Sequence, residues 1–270
     1  MIHIPNTDLT RDIIKMSGED VVTFLQGLLT CNVEKLSAGA MMHGALLTPQ
    51  GKILDTMFLT RTDEAVFIDL VPGRGDAFRR KMMLYRLRAK VVIEEANDMH
   101  VAVSAEPISG DNVLTSSADP RLPTLGYRAI VSGPAEPADE PAYHRAMVTA
   151  GIPTFGDAYD EAEVFPLNVN LDLLHGIDHK KGCFVGQEVA SRMFRKGSIR
   201  KRTWLVRGTD LQKGQSLKHE DRIVGTVTSV AEDTGTAMVS LDRFETEDGQ
   251  LQVTTPEGGV ASLIRPDYVS

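Results

Sequence analysis

Residues 181–188 read Lys-Gly-Cys-Phe-Val-Gly-Gln-Glu, a stretch dense in residues that carry chemistry. Its two glycines permit tight turns or a close approach of the backbone to a small ligand. Its cysteine follows a pair of lysines and precedes an expected helix start, and both features favour a thiolate. The alternative is a buried structural cysteine in a glycine turn, because free cysteine is among the most buried residue types. The candidate functional thiol is Cys183, and the candidate binding residues around it are Lys181, Gly182, Gly186, Gln187 and Glu188.

A basic run follows this stretch directly. Between positions 192 and 202 there are six positive charges and no acidic residue: Arg192, Arg195, Lys196, Arg200, Lys201 and Arg202. In an otherwise acidic chain such a run predicts a local anion site. The alternative is a basic turn that is simply exposed to solvent.

Composition sets the outer limits of the interpretation. A chain of 270 residues corresponds to roughly two domains of about 150 residues. The 37 acidic and 29 basic residues give a net charge of -8, which disfavours direct nucleic-acid binding. Two cysteines exclude a disulfide framework, and they cannot supply the four thiolates of a self-contained iron–sulfur cluster.

The periodicity predicts an α+β region over 1–200 followed by a β-barrel domain over 201–270. Strand-like runs cover 41–47, 53–60, 65–70, 91–95 and 99–104, and helices are expected after Ser17, over 76–87 and after Asp139. Beyond residue 201, short β-prone runs alternate with Gly and Asp turns and show no helical period, which is typical of a small barrel.

A metal site is not expected. His175, His179 and Cys183 are spaced by four residues, but Gly176 and Gly182 interrupt any helix that would align them, and a fourth ligand is missing nearby. The chain also has no apolar run long enough to cross a membrane and no signal peptide, so we expect a cytoplasmic protein.

The stretch at 181–188 resembles the signature of the YgfZ-type folate-binding proteins, which are relatives of the glycine-cleavage T-protein (aminomethyltransferase) and serve in iron–sulfur cluster biogenesis. The resemblance extends to other segments, and collinear matches cover nearly residues 10 to 205. These segments are 24–30, 46–55, 85–91, 150–153 and 165–172.

The resemblance implies an aminomethyltransferase-like fold, with three subdomains around a central opening that holds tetrahydrofolate or a one-carbon-substituted folate. It implies that Asp55 and Asn170 contribute to the folate site and that Arg192 faces the anionic glutamate tail. It further implies a monomer whose partners are iron–sulfur client or assembly proteins. Any link to tRNA modification would be indirect, through such clients.

Two departures bear on activity. Aminomethyltransferases carry adjacent aspartates where this chain has Asp55-Thr56, and an Arg-x-Glu motif where it has 147–149, Met-Val-Thr. Our main hypothesis is therefore a folate-binding accessory factor, with its own turnover left open. The alternatives are a folate-dependent aminomethyltransferase and a folate-independent docking scaffold.

Overall fold

The computed structural model describes residues 2–195, 197, 199–246 and 248–269. Within these ranges the α-helices are α1 (Val21–Gln26), α2 (Gly75–Arg86), α3 (Glu140–Thr149) and α4 (Gln187–Arg195). The strands that precede α4 are β1 (Thr7–Leu9), β2 (Asp12–Ser17), β3 (Met41–Leu47), β4 (Ile53–Arg61), β5 (Ala65–Leu70), β6 (Val92–Glu95), β7 (Met99–Ser104), β8 (Val113–Ala118) and β9 (Tyr127–Ser132). Short 3-10 helices cover Val33–Lys35, Pro123–Leu125 and Pro166–Val169.

An antiparallel five-stranded sheet, in the order β3-β4-β5-β2-β6, forms the centre of the N-terminal part. Successive side chains of a strand point to opposite faces, so this sheet contributes to two cores. On one face Ile14 and Ile68 pack with Phe78 and Met82 of α2. The strand β6 lies at the free edge of the sheet, next to the end of α2.

The opposite face of that sheet packs on a second, four-stranded antiparallel sheet with the order β1-β7-β9-β8. Ile13 and Phe67 from the first sheet meet Val101 and Ile130 from the second, and Met147 of α3 closes the same core. The helix α3 begins as predicted at Asp139, whose side chain accepts a hydrogen bond from the backbone N–H of Ala142 at 3.1 Å.

The C-terminal part is a closed six-stranded barrel in the order β10-β13-β12-β11-β14-β15. Its strands are β10 (Lys201–Gly208), β11 (Ser216–His219), β12 (Arg222–Ala231), β13 (Thr234–Ser240), β14 (Gln250–Thr254) and β15 (Val260–Ile264). Trp204, Val224, Val239 and Leu263 fill its interior. Closure removes the free strand edges that an open sheet of this size would expose.

The α+β class with a terminal barrel is confirmed, whereas two local predictions are wrong. Ser17 ends β2, and α1 begins later, at Val21. The strands β8 and β9 lie in a stretch where no element was expected. The division at 200 and 201 stays a prediction, and no helix in the described part of the chain is both long and apolar enough to span a membrane.

Candidate functional site

Lys181 anchors the segment that carries the candidate thiol. Its ammonium donates to three main-chain carbonyls, those of Gln26 at 2.8 Å, Leu29 at 2.6 Å and Cys31 at 2.6 Å. These carbonyls lie at and beyond the end of α1, where a helix leaves its last carbonyls without intrahelical partners. Burial lowers the pKa of Lys181 to about 8. All three of its N–H donors are used inside the protein, so its role is to position the segment.

Gly186 holds the other end of the segment against the turn between β3 and β4. It has a φ of +79°, and a Cβ added there would lie 2.5 Å from the carbonyl oxygen of Thr48. The turn also contains a glycine, Gly51, which has a φ of +84° and lies against Val189 of α4. Both positions require glycine, because a side chain at either would separate α4 from the hairpin.

Cys183 is exposed between these two anchors. Gly182 before it lies in open space, while Phe184 after it is buried in the core that α4 shares with the β3–β4 hairpin. This placement excludes the alternative of a buried structural cysteine. The other cysteine, Cys31, is buried, and burial raises the pKa of its thiol to about 12.

A cavity of about 710 Å³ lies on one side of α4. Its walls come from the segment that follows α1, the start of β3, the loop at 172–180 and α4 itself. The lining residues on α4 are Gln187, Ser191, Phe194 and Arg195, which are spaced as one face of a helix. The Gln187 side chain also donates to the carbonyl of Gly182 at 3.4 Å, which links the cavity wall to the residue before the thiol.

The cavity combines a flat aromatic surface with several charges. The rings of His179 and Phe194 stack with centroids 3.7 Å apart, and burial lowers the pKa of His179, which keeps the ring neutral. Neither ring nitrogen of His179 has a hydrogen-bond partner among the described residues. The cationic side chains in the wall are Lys35, Lys180 and Arg195.

Both carboxylates in the cavity wall form ion pairs. Asp178 accepts from Lys35 at 3.1 Å, and Asp172 is held by Arg202 at 2.6 Å. Lys180 and Arg195 have no ion-pair partner within the described part of the chain. The cavity is therefore positive in balance and fits a planar molecule with an anionic end.

Several predicted site residues lie away from this cavity. Asp55 is buried in an ion pair with Arg74 at 2.6 Å, and burial raises its pKa. Asn170 is fully buried and donates to the carbonyl of Thr203 at 2.8 Å, so it attaches the N-terminal part to β10. Glu188 and Arg192 are exposed on α4 outside the cavity wall, and of the predicted binding residues Gln187 lines it.

The basic run does not form one surface. Arg195 lines the cavity, whereas Arg200 and Lys201 line a separate groove of about 690 Å³ between the barrel and the N-terminal part. Arg202 is buried in its ion pair with Asp172. Lys196 lies outside the described residues. The described charges of the run are therefore divided between separate places, since α4 ends at Arg195 and β10 begins at Lys201. An anion site on part of the run stays a prediction.

A small space, which we call the central space, lies between β3 and β4, α3 and the segment 152–174. It has a volume of about 60 Å³, and the guanidinium groups of Arg128 and Arg121 lie 4.3 Å and 4.8 Å from the ring centroid of Phe58. Arg128 is ion-paired with Asp69 at 2.5 Å. A space of this size holds a few water molecules, whereas the larger cavity beside α4 has a volume within the range of small-molecule sites.

His43 lies between the cavity and the central space and gives the site a pH dependence. Burial and the nearby Arg121 lower its pKa from 6.5 to about 3. Between these two pKa values the unfolded chain binds a proton at His43 that the folded chain does not bind. The free energy of unfolding therefore falls as the pH falls, by about 2 kcal/mol at pH 5. We expect His43→Gln to flatten the loss of unfolding free energy between pH 7 and 4.5, as measured by urea unfolding.

The control is His3→Gln, at an exposed histidine. It should retain the wild-type slope of stability against pH. Equal slopes for wild type and His43→Gln would show that His43 does not carry this dependence.

Sequence reasoning missed Phe194 and the lysine at 35, and it considered His179 only as a metal ligand. A usable signal was present in α4, where positions 187, 191, 194 and 195 share one helical face. The stacked partner, His179, comes from a loop and shows no periodic signal.

Comparison with known proteins agrees with this architecture. Residues 200–270 match the family described as the CAF17 C-terminal beta-barrel domain. The crystal structure of the glycine cleavage system aminomethyltransferase T from Bartonella henselae superposes with a TM-score of 0.79 at 13% identity, covering 100% of this chain and 87% of that one. At this identity the match shows the fold, and it confirms the expected one.

Two sequence relatives carry the same name. A protein of Mycosarcoma maydis named as a mitochondrial iron–sulfur cluster assembly factor IBA57 homolog is 30% identical over 71% of this chain and 54% of its own length. A homolog of the same name from Pyricularia oryzae is 27% identical over 72% of this chain and 54% of its own length. The chain thus spans about half the length of these curated relatives.

The expectation of a cytoplasmic protein is wrong on this comparison. The relatives are named as mitochondrial proteins, which contradicts that expectation.

Proposed function

We propose that this chain, an aminomethyltransferase-fold protein related to the IBA57 iron–sulfur assembly factors, is a reduced-folate-binding accessory factor for the assembly or repair of iron–sulfur clusters in client enzymes. The observation that carries the proposal is an exposed Cys183 on a segment anchored at both ends and joined to the wall of a folate-sized cavity by Gln187. An effect on tRNA modification would follow where a client enzyme modifies tRNA.

The cavity suits a reduced folate in three respects. Its volume of about 710 Å³ lies within the range of small-molecule sites. The His179–Phe194 pair offers a flat surface for a pterin ring, since Phe194 is 45% exposed. Arg195 and Lys180 are positioned for the carboxylates of the glutamate tail. When bound, the folate supplies a carrier for a one-carbon unit.

The residues of the chain have distinct tasks in this proposal. Phe194 and His179 orient the ring by stacking. Arg195 attracts the anionic tail electrostatically, and salt screens this attraction. Lys181 and Gly186 hold the Cys183 loop in place, so that the thiol meets a partner without first ordering the chain. The client or assembly protein supplies the cluster itself.

A true aminomethyltransferase is less well supported by this geometry. The carboxylate of Asp55 is buried against Arg74 and lies outside the cavity wall. It is therefore unavailable to a substrate in that cavity.

A folate-independent scaffold would need Cys183 and a surface that binds a partner protein, and it would bind no small-molecule ligand.

We expect calorimetric titration to show saturable binding of tetrahydrofolate without turnover of an aminomethyl donor. Phe194→Ala should weaken binding by about tenfold, the cost of removing an aromatic stacking surface. Arg195→Ala should weaken it by about fivefold at low salt, since an exposed charge pair contributes about 1 kcal/mol, and by less at high salt. The effect should be larger for a polyglutamylated folate.

The matched control is Arg207→Ala, an exposed arginine of the barrel that lies outside the cavity wall. It should bind like wild type. Turnover of the aminomethyl donor would instead support the transferase, and absence of any folate binding would support the scaffold.

A further inference from the structure

An apolar surface at the end of α2, which we call the α2 patch, has no place in the function proposed above. The patch consists of Met83, Leu84, Tyr85, Leu87 and Val92. These residues are five of the nine exposed large hydrophobic residues in the described part of the chain. Leu84 is 78% exposed and Leu87 is 87% exposed, so the two project almost fully into solvent. A cluster of this kind is typical of an interaction site.

Leu87 also has a backbone conformation that leucine rarely adopts. It ends α2 with a φ of 46° and a ψ of -107°, close to the first central position of a type II′ turn, where glycine is preferred. The side chain makes almost no contact that would offset this strain. A strained, exposed leucine is costly in the isolated chain, and such residues cluster where function requires them.

The turn is held in this conformation by its surroundings. The Asp20 carboxylate accepts from the N–H of Lys90 at 2.8 Å, and Arg86 donates to the carbonyl of Val91 at 3.3 Å. Gly18, with a φ of +116°, lets β2 approach the carbonyl of Lys90 closely. The patch is therefore preorganised, which lowers the entropy lost when a partner binds.

The charges around the patch favour a protein partner over a lipid surface. Arg88 is exposed and has no ion-pair partner within the described ranges, and the closest carboxylate oxygen to Arg80 is that of Asp76 at 3.6 Å. Both arginines can therefore pair with carboxylates of a partner. The rim of the patch carries both signs of charge, since Arg79 pairs with Glu95 at 3.2 Å, Lys90 pairs with Glu19 at 2.6 Å and Glu94 is exposed. An anionic membrane instead attracts a cluster of basic residues.

We propose that the α2 patch docks a folded protein partner, whose apolar pocket receives Leu84 and Leu87 and whose acidic rim pairs with Arg80 and Arg88. An apolar centre within a charged rim is the usual anatomy of a protein interface. The proposal depends on neither folate binding nor Cys183, so it is tested independently of the proposed function.

The test begins with a photo-crosslinking amino acid at position 87 of the full chain in cells, with position 260 as the control. Val260 is a barrel residue that is 66% exposed. The protein joined at position 87, but not at 260, is identified, purified and titrated with the unmodified chain. The double variant Leu84→Ser, Leu87→Ser should bind it about tenfold or more weakly, as expected for central anchors. Arg88→Glu should weaken binding most at low salt.

A second variant separates docking from folding. Leu87→Gly should raise the melting temperature by about 2–4 °C, because it removes strain, and should still weaken binding of the same partner. A loss of binding that accompanies a gain in stability excludes misfolding as the cause. Leu114→Ser, at an exposed leucine of β8 that is 41% exposed, should leave both properties unchanged.

Four results would overturn the proposal. The first is crosslinking at position 87 that is no stronger than at 260, and the second is equal partner affinity for wild type and the double variant. The third is crosslinking only to a second copy of this chain. The fourth is binding of the wild type to phosphatidylcholine vesicles that contain phosphatidylserine, together with loss of this binding in the double variant.

Discussion

Replacement of Cys183 by alanine should abolish biological activity and leave the fold intact. The thiol is exposed, and its neighbours Lys181, Phe184 and Gly186 provide the contacts that hold the segment. Removal of an exposed sulfur leaves those contacts in place, so the melting temperature should stay within about 1 °C of wild type, as for surface substitutions generally. Complementation of cells that lack the protein should fall to the level of an empty vector.

The matched control is Cys31→Ala, at the buried cysteine. Loss of its buried sulfur should cost about 1 kcal/mol of stability and leave complementation intact. Full complementation by Cys183→Ala would contradict a functional thiol. A large fall in its melting temperature would show instead that the cysteine is structural.

Substitution of Gly186 by alanine should strongly destabilise the chain. The new Cβ would lie 2.5 Å from the Thr48 carbonyl oxygen and 3.0 Å from the Leu47 Cβ, at a φ of +79°. Backbone strain and overpacking each cost about 1–3 kcal/mol, so a loss of about 3 kcal/mol in the free energy of unfolding is expected. Urea unfolding measures it directly, and a melting temperature lower by roughly 6–12 °C should accompany it.

Gly182→Ala is the matched control within the same motif. A Cβ at Gly182 meets no atom within 4 Å, and its backbone does not have a positive φ. We expect a change in stability of less than about 0.5 kcal/mol. If the two variants lost equal stability, the packing of α4 against the β3–β4 turn would not explain the second glycine of the motif.

Local patterns predicted much of the fold, because several elements carry strong periodic signals. The strands β3, β4 and β5 are apolar runs bounded by turns, and α3 has both its cap at Asp139 and Gly151 just beyond its end. The strand β8 was missed because its sequence, Val-Leu-Thr-Ser-Ser-Ala, is half polar without alternation and only Thr115 is buried. Pairing with β9 makes it a strand, and local sequence does not show that pairing.

The site was predicted less completely, since its geometry depends on contacts that are distant in sequence. Lys181 was expected to face a ligand, yet it binds carbonyls about 150 positions earlier in the chain. Asp55 was expected at the folate, but Arg74, 19 positions away, holds it. Cys183 could be singled out because glycines and charges next to it in sequence define its surroundings. The cavity depends on a loop and a helix that meet only in the folded protein.

The central claim is that the chain serves iron–sulfur cluster assembly, and the most direct test is the cluster content of a client enzyme in cells that lack the protein. We predict that an iron–sulfur enzyme loses activity and bound iron, whereas an enzyme of the same compartment without a cluster keeps its activity. Wild type should restore the cluster and Cys183→Ala should not. Undiminished cluster content in cells without the protein, measured by iron incorporation into the immunoprecipitated enzyme, would contradict the account.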